Sequence, residues 1–343
     1  MKGFINPTFR VTLMISARNG LSTIINMAIM GVALTILGLG IFNINFLLHP
    51  SSRLTVDEIL IVSLFLGMLH GITPDEHTWP ITFSYAVGEY STRGGMKAGL
   101  LFSLGFTIQR AFLTTLGYLG LAYFYMKYNL DGPVYLVVGL VMAIAGSYIL
   151  RGKYIHIPFD ALLGGHQHHT NEARRIPLHE AHLREVPIRM TIVHGLIAGF
   201  GFGTYASVIT FVLAPQMPSI WYAPLPGLMF GIGTMIMQVI LGAVFGGLLR
   251  AKKLNEEEIK YVGRKTAGIT LYYGGIVFAL VGLLIIFLPQ IDAWAISTGI
   301  PIPNLDAIGI GFLLVISVVG MIGLYGIIKS YREAVKLHAM NSK

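Results

Sequence analysis

Residues 70–80 read His70-Gly-Ile-Thr-Pro-Asp-Glu-His77-Thr-Trp-Pro80 and interrupt an otherwise apolar stretch, residues 57–89. This stretch is longer than the roughly 20 residues that one helical crossing of a bilayer requires. Pro74 and Pro80 oppose a continuous helix, because proline lacks a backbone N–H donor and restricts the residue before it. Irregular backbone at membrane depth is tolerated only where protein or a water-filled cavity surrounds it. The stretch therefore predicts a broken transmembrane helix that lines a cavity.

The composition of the whole chain is typical of a membrane protein. Of its 343 residues, 54% are hydrophobic and 12% are charged, about half of the charged share of a soluble domain. Together with a mean hydropathy of +0.70, this composition excludes a water-soluble globular domain and a disordered chain. The sequence contains no cysteine, which excludes disulfides, thiolate metal sites and iron–sulfur clusters. We predict an all-α integral membrane protein that has the lipid bilayer as a partner.

Eight apolar segments are long enough to cross a bilayer. They cover residues 24–48, 58–88, 98–124, 134–150, 190–214, 227–249, 267–288 and 306–328. With the N-terminus in the cytoplasm, 21 of the 24 Lys and Arg residues fall in cytoplasmic loops or termini. This bias predicts eight spans with both termini on the cytoplasmic side of a prokaryotic-type cytoplasmic membrane. It also explains the net charge of +8, so we expect no nucleic-acid partner.

The spans contain an internal repeat, in which spans two to four resemble spans five to seven. Four positions match at a constant offset of 128 residues: Gly99, Phe102, Gly105 and Arg110 with Gly227, Phe230, Gly233 and Gln238. His70-Gly71 aligns with His194-Gly195 at an offset of 124 residues. Each unit has three spans, an odd number, so the two copies are expected to face opposite ways in the membrane. Inverted repeats with broken helices are common in secondary transporters, whose substrate sites lie near the bilayer midplane.

The spans and loops divide the chain into five predicted segments. They are residues 1–56, an N-terminal cytoplasmic segment and the first span; 57–151, the first three-helix repeat; 152–189, a His-rich cytoplasmic loop; 190–288, the second three-helix repeat; and 289–343, an outer loop, the last span and a cytoplasmic tail.

The interrupted stretch carries side chains that bind divalent metals. The candidate ligands within it are His70, Asp75, Glu76 and His77. Imidazole suits nickel, cobalt, zinc and copper, and carboxylates shift the preference toward harder divalent ions. A polar loop at the membrane surface is the alternative interpretation, but ionisable groups inside a span are energetically costly and usually functional. His194 is either a further ligand, facing His70 across the repeat axis, or a packed histidine.

Arg110 is the one basic residue within a predicted span. A charge at this depth needs a partner, and Asp75 or Glu76 is the expected one. This pair is either a structural clamp between the broken helix and span three, or a stand-in cation that holds the carboxylates when no substrate is bound. Polar residues predicted to line the same pathway are Thr107, Gln109 and Gln238.

The 152–189 loop is rich in histidine. The candidate residues are His166, His168, His169, His179 and His182. A cluster of this kind can hold transition metals loosely and would raise the metal concentration near an entry gate. The alternative interpretation is a solvated linker.

The stretch from His70 to His77 resembles the signature of the nickel/cobalt transporter families (NicO and NiCoT), within the wider superfamily that includes the lysine exporters. Those families carry a histidine in span two, a short spacer and an acidic–histidine pair; here His70-Gly71, Pro74-Asp75 and His77 match. The glycine-rich segment 93–105 and the His-rich loop are similar too. Phe106 departs from the pattern, because many members carry a histidine after the third-span glycine. The resemblance implies an eight-span α-helical permease with a divalent metal substrate.

We therefore expect a secondary transporter of a divalent transition-metal cation, nickel or cobalt first and zinc as an alternative, with no tightly bound cofactor. The chain carries no Walker loop, no His-Glu-x-x-His helix and no Gly-x-Ser-x-Gly elbow, so we do not expect an enzyme. Two alternatives stay open. One is a transporter of a small anion or an amino-acid-like solute that uses Arg110, and the other is an intramembrane enzyme with a catalytic metal. The sequence leaves the oligomeric state open.

Overall fold

The computed structural model describes residues 22–37, 43–50, 53–150, 183–251 and 254–341, which are mostly helical. The α-helices are α1 Ser22–Leu37, α2 Ile44–Leu48, α3 Val56–Ile72, α4 Trp79–Gly88, α5 Thr92–Tyr118, α6 Tyr123–Lys127, α7 Asp131–Ile149, α8 Met190–Ala198, α9 Thr204–Ser207, α10 Leu225–Gly247, α11 Glu256–Phe287, α12 Ile310–Val315 and α13 Leu324–Asn341. Two π-helical segments, Val208–Leu213 and Ile316–Gly323, extend α9 and join α12 to α13. Short 3-10 helices cover Ala214–Gln216, Leu248–Ala251 and Pro289–Ile291.

Five helical segments of the described chain are long and apolar enough to cross a membrane. They are Thr92–Tyr118, Asp131–Ile149, Leu225–Arg250, Glu256–Phe287 and Ile310–Lys336. These helices confirm the prediction of a helical membrane protein. The count of eight spans, the prokaryotic-type membrane and the cytoplasmic side of the termini stay predictions.

Two of the predicted spans are broken helices. In span 58–88, α3 ends at Ile72, and Thr73 has the extended backbone that the following Pro74 favours. α4 begins at Trp79, with Pro80 in its first turn. Proline is tolerated there, because backbone N–H groups in the first turn have no partner within the helix. We call residues 73–78 the first break.

Span 190–214 is broken between α8 and α9, at residues 199–203, which we call the second break. This segment reads Gly-Phe-Gly-Phe-Gly, and glycine permits both local unwinding and close packing. The first break was predicted from its prolines, and for the glycines of span 190–214 the sequence left open close helix packing or local unwinding.

The outer loop contains a structure that the all-α prediction did not include. Strand β1, Ala295–Ser297, pairs antiparallel with β2, Ala307–Gly309, and Ile296 lies opposite Ile308. Each strand has three residues, which is too short to give the alternating pattern by which a strand is predicted. The loop between the strands, residues 298–306, returns to the helical bundle.

Glycines bring the long helices into backbone contact. A Cβ added to Gly95 of α5 would lie 1.9 Å from the carbonyl oxygen of Gly242 in α10, and one added to Gly242 would lie 2.2 Å from that of Gly95. Gly139 of α7 and Gly275 of α11 are related in the same reciprocal way, at 2.6 and 2.5 Å. Small residues at such crossings are typical of membrane helices, which associate largely through close packing.

The same reciprocity links the two broken helices to their neighbours. A Cβ on Gly67 of α3 would lie 2.0 Å from the carbonyl oxygen of Phe230, and one on Gly195 of α8 would lie 2.0 Å from that of Phe102. Both the two glycines and the two phenylalanines differ by 128 positions. Gly195 thus makes the contact that corresponds to that of Gly67, whereas the sequence alignment matched it to Gly71.

Candidate cation site

The polar side chains of the first break lie inside the protein. Relative exposure is 5% for His70, 4% for Asp75 and 4% for His77. Thr73 and Thr78 are buried as well. These side chains are therefore enclosed by the protein itself.

The structure brings three of the predicted ligands together. Asp75, Glu76 and His77 each offer one ligand atom, and these atoms lie within 4.8 Å of one another. His77 Nδ1 is 3.3 Å from Glu76 Oε1. Small side-chain movements would place each of the three atoms roughly 2.1 Å from a shared metal ion, the usual distance from a transition metal to a nitrogen or oxygen ligand. The group is suited to a divalent cation.

Neighbouring groups orient these three side chains. The Tyr135 hydroxyl donates a hydrogen bond of 2.8 Å to Glu76 Oε1, and its ring stacks on His77 with centroids 5.0 Å apart. The backbone N–H of His77 donates to Asp75 Oδ1 at 3.0 Å. Such outer partners fix the orientation of metal ligands and tune their affinity. Tyr135 was not predicted from the sequence.

His70 lies beside this group rather than within it. Its Nδ1 is 3.6 Å from Asp75 Oδ2. Its ring packs against both Phe106 and Phe230, at centroid distances of 5.4 and 5.2 Å, and its Nε2 has no partner among the described residues. His70 thus reaches the candidate site through Asp75.

His194 occupies a different place. Its Nδ1 lies 3.1 Å from the Tyr85 hydroxyl and 3.0 Å from the carbonyl oxygen of Met190, and the side chain is 1% exposed. The structure does not bring it into the group of three ligands. The reason is the register of α8, which places His194 where α3 carries Leu66. His194 therefore lies apart from this group, and its buried Nε2 has no hydrogen-bond partner among the described residues.

Arg110 does not form the expected ion pair with Asp75 or Glu76. Its Nη2 donates a hydrogen bond of 2.8 Å to the carbonyl oxygen of Gly201, and the side chain is 1% exposed. The guanidinium lies over the ring of Phe106, 4.6 Å from its centroid. The second break explains this choice, because a broken helix leaves carbonyl groups without intrahelical donors.

Of the remaining predicted pathway residues, Gln238 makes a hydrogen bond beside a break, whereas Gln109 and Thr107 make none to either break among the described residues. Gln238 Nε2 donates to the carbonyl oxygen of Gly71, at the end of α3, at 2.9 Å. Gln109 packs against Gly199, at the start of the second break. Thr107 donates to the carbonyl oxygen of Ser103 at 2.6 Å, within its own helix. Gln238 and Arg110, matched in the repeat, thus each bind a carbonyl at the break of one unit.

A cavity of about 270 Å³ adjoins the group on the side of the outer loop. It is lined by the carboxylates of Glu76, Asp131, Asp292 and Asp306, and no Lys, Arg or His is among its described lining residues. Burial, reinforced by Asp131 and Glu76, raises the pKa of Asp292, in the outer loop, to about 6. The three aspartates were missed in the sequence, because they lie in separate segments that converge only in the fold.

No family model, curated protein or solved structure matches this chain. The resemblance of the His70–His77 motif to nickel/cobalt transporters therefore stays a prediction. The candidate histidines of the 152–189 loop lie outside the described residues; they are His166, His168, His169, His179 and His182. The geometry of the first break and its cavity is what bears on function.

Proposed function

We propose that this protein is a secondary transporter of a divalent transition-metal cation, with nickel or cobalt as the first candidates and zinc as an alternative. The observation that carries the proposal is the group of buried Asp75, half-buried Glu76 and buried His77, in the break of an apolar helix and beside a cavity lined by carboxylates. Ionisable groups inside membrane helices are costly to bury and usually mark a substrate or ion pathway.

The ligand set favours a transition metal over a hard cation. One imidazole in the group, a second beside Asp75 and two carboxylates match the preferences of nickel, cobalt and zinc, whereas magnesium and calcium prefer oxygen ligands alone. Tyr135 and the backbone N–H of His77 orient the carboxylates before an ion arrives. The ion is the transported substrate in this proposal, so no tightly held cofactor is implied.

Arg110 can coexist with a cation site because its charge is already accommodated. The Gly201 carbonyl and the face of Phe106 both stabilise the guanidinium. Asp75 and Glu76 therefore stay available to a substrate. In this proposal Arg110 anchors the second break and does not act as a stand-in for the ion.

The proposal includes an inverted repeat of two three-helix units, residues 57–151 and 190–288. The reciprocal contacts of Gly67 with Phe230 and Gly195 with Phe102 support it, since an exchange of the two units reproduces them. In transporters of this architecture, one unit rocks against the other and exposes a midplane site to each side in turn.

Titration calorimetry of the purified protein with nickel, cobalt, zinc and manganese tests the proposal. We expect Asp75→Asn and His77→Ala each to weaken nickel binding by at least about 100-fold, the upper range for loss of an outer-shell partner. The matched controls are Asp57→Asn and His49→Ala, which change exposed residues of the same types. Unchanged affinity in both site variants would refute the site.

One observation favours a second candidate, a transporter of a small anion or an amino-acid-like solute. Nε and Nη1 of Arg110 are buried and have no hydrogen-bond partner among the described residues, so they could receive a carboxylate or another oxyanion. This function would be established if the wild-type protein takes up such a solute and binds no nickel, and if Arg110→Gln abolishes the uptake. An intramembrane metalloenzyme would instead retain its metal through dialysis, whereas a transporter would lose it.

A further inference from the structure

The loop between the two strands is folded against the candidate cation site. Within it, Thr298 N–H donates to the carbonyl oxygen of Asp306 at 2.8 Å, and Leu305 N–H donates to that of Ile302 at 3.0 Å. Asn304 has a left-handed backbone, with φ at 68°, which asparagine adopts more readily than most residues. The loop therefore presents Asn304 in a defined conformation.

Both broken helices hold this loop. Asn304 Nδ2 donates a hydrogen bond of 3.2 Å to Thr73 Oγ1, in the first break. The Tyr205 hydroxyl, just beyond the second break, donates to the carbonyl oxygen of Pro303 at 3.3 Å. A movement of either broken helix would therefore act on the loop.

Asn304 also reaches a ligand of the candidate site. Its Nδ2 lies 3.5 Å from Asp75 Oδ2, the same oxygen that faces His70 Nδ1 at 3.6 Å. The other oxygen of Asp75 accepts the N–H of His77. The Asn304 amide nitrogen thus lies next to Asp75 Oδ2, where a cation bound to that oxygen would have to lie.

The chemistry of the amide gives Asn304 two roles. Its nitrogen donates hydrogen bonds and cannot bind a cation, whereas its oxygen is a common metal ligand. When an ion binds Asp75, the amide must therefore turn over or withdraw. Asn304, Asp306 and Glu76 line the carboxylate-lined cavity and Asp75 does not, so Asn304 contacts both the cavity and Asp75.

We propose that Asn304 completes the cation site from the outer loop and that loop 298–306 is its outer gate. In the empty protein the amide nitrogen holds Asp75 and Thr73. In the loaded protein the amide oxygen binds the ion. This inference rests on the proposed function, because it assigns a role at the same site.

Nickel calorimetry on Asn304 variants tests the ligand role. Asn304→Leu weakens nickel binding by about 10-fold or more, and Asn304→Asp tightens it, because a charged oxygen attracts a divalent ion more strongly than an amide oxygen. Asn129→Leu is the matched control, since Asn129 shares the left-handed backbone, with φ at 45°, in a different loop. Equal nickel affinities of Asn304→Leu and the control would overturn the ligand role.

A reversible cross-link tests the gate. The chain has no cysteine of its own, so Thr73→Cys with Asn304→Cys provides a unique pair for a short reducible bis-thiol linker. In vesicles, the linked double variant should lose uptake of radioactive nickel, and reduction should restore the uptake that the same double variant shows before linking. Each single variant, treated with the same reagent, should keep the uptake that it shows before treatment. Full uptake by the linked protein, or failure of the pair to link, would overturn the gate.

The two failures are distinguishable. If the wild-type chain binds no nickel, or Asp75→Asn binds it normally, the proposed function fails. If Asp75→Asn loses nickel binding but Asn304→Leu behaves as the Asn129→Leu control, only the present inference fails.

Discussion

The two breaks share a design and differ in chemistry. Each interrupts an apolar helix, and each is held by a side chain from a neighbouring long helix, Gln238 for the first break and Arg110 for the second. The first break carries the carboxylates and His77, whereas residues 199–203 contain only glycine and phenylalanine. The second break therefore contributes backbone carbonyls, and the candidate ligand group of the described residues lies at the first break.

The two breaks also differ in the charge of the side chain that binds them. The cation of Arg110 is bound at the break without ionisable side chains, and the neutral amide of Gln238 serves the break that contains the candidate ligands. A guanidinium in the place of Gln238 would compete with a substrate cation for Asp75 and Glu76. The two breaks nevertheless touch, because a Cβ added to Gly201 would lie 2.3 Å from His77 Nε2.

The largest expected effect breaks the packing that the two halves share. Gly67→Ala and Gly195→Ala should each destabilise the protein severely, by about 3 kcal/mol or more, because each Cβ would lie 2.0 Å from a backbone oxygen. Gly203→Ala is the control, since a Cβ there meets nothing within 4 Å. Thermal unfolding in detergent measures the difference. If only one of the two variants, Gly67→Ala or Gly195→Ala, loses stability, the packing of the two broken helices is not reciprocal.

The second prediction exchanges the residues that distinguish the breaks. Gln238→Arg should weaken nickel binding by more than about 100-fold, because it places a fixed cation beside the ligands. Arg110→Gln should change nickel affinity by less than about tenfold while it lowers stability, since it removes a charged hydrogen bond worth roughly 1.5–3 kcal/mol. Calorimetry and thermal unfolding of both variants are the measurements. The reverse order of affinities would favour the anion transporter.

A third prediction concerns the space in front of Glu76. A Cβ added to Gly311 would lie 2.4 Å from Glu76 Oε2, so Gly311→Ala should displace this carboxylate and weaken nickel binding by about tenfold. Gly309→Ala is the control, because the nearest atom to its Cβ would be 3.3 Å away. Nickel titration of both variants decides the point, and equal affinities would remove Glu76 from the ligand set.

The smallest expected effect is the pH dependence of ion entry. The pKa of Asp292 is raised to about 6, mainly by burial, so its carboxylate is charged at pH 7 and largely neutral at pH 5. Nickel association should slow as the pH falls through 6, and Asp292→Asn should remove that part of the change. The raised pKa also means that the charged form opposes folding, so Asp292→Asn should not destabilise the protein at neutral pH. Stopped-flow association of both proteins between pH 5 and 7 checks this; identical profiles would contradict it.

Local features of the sequence were sufficient for the first break and for the long helices. Pro74 and Pro80 act on their immediate neighbours, and the apolar segments of α5, α7, α10 and α11 are continuous. The partner of Arg110 could not be predicted, because the free carbonyl of Gly201 depends on a break 91 residues away. The dipeptide His194-Gly195 is identical in sequence to His70-Gly71. The position of α8, however, is set by the packing of Gly195 against Phe102, which the sequence does not reveal.

The central claim is that a nickel ion binds Asp75, Glu76 and His77 in the first break. X-ray absorption spectroscopy of the nickel-loaded protein tests it most directly. We predict mixed imidazole and carboxylate ligands at roughly 2.0–2.2 Å, with one imidazole lost in His77→Ala. A nickel ion surrounded only by water oxygens, or an unchanged spectrum in His77→Ala, would contradict the claim.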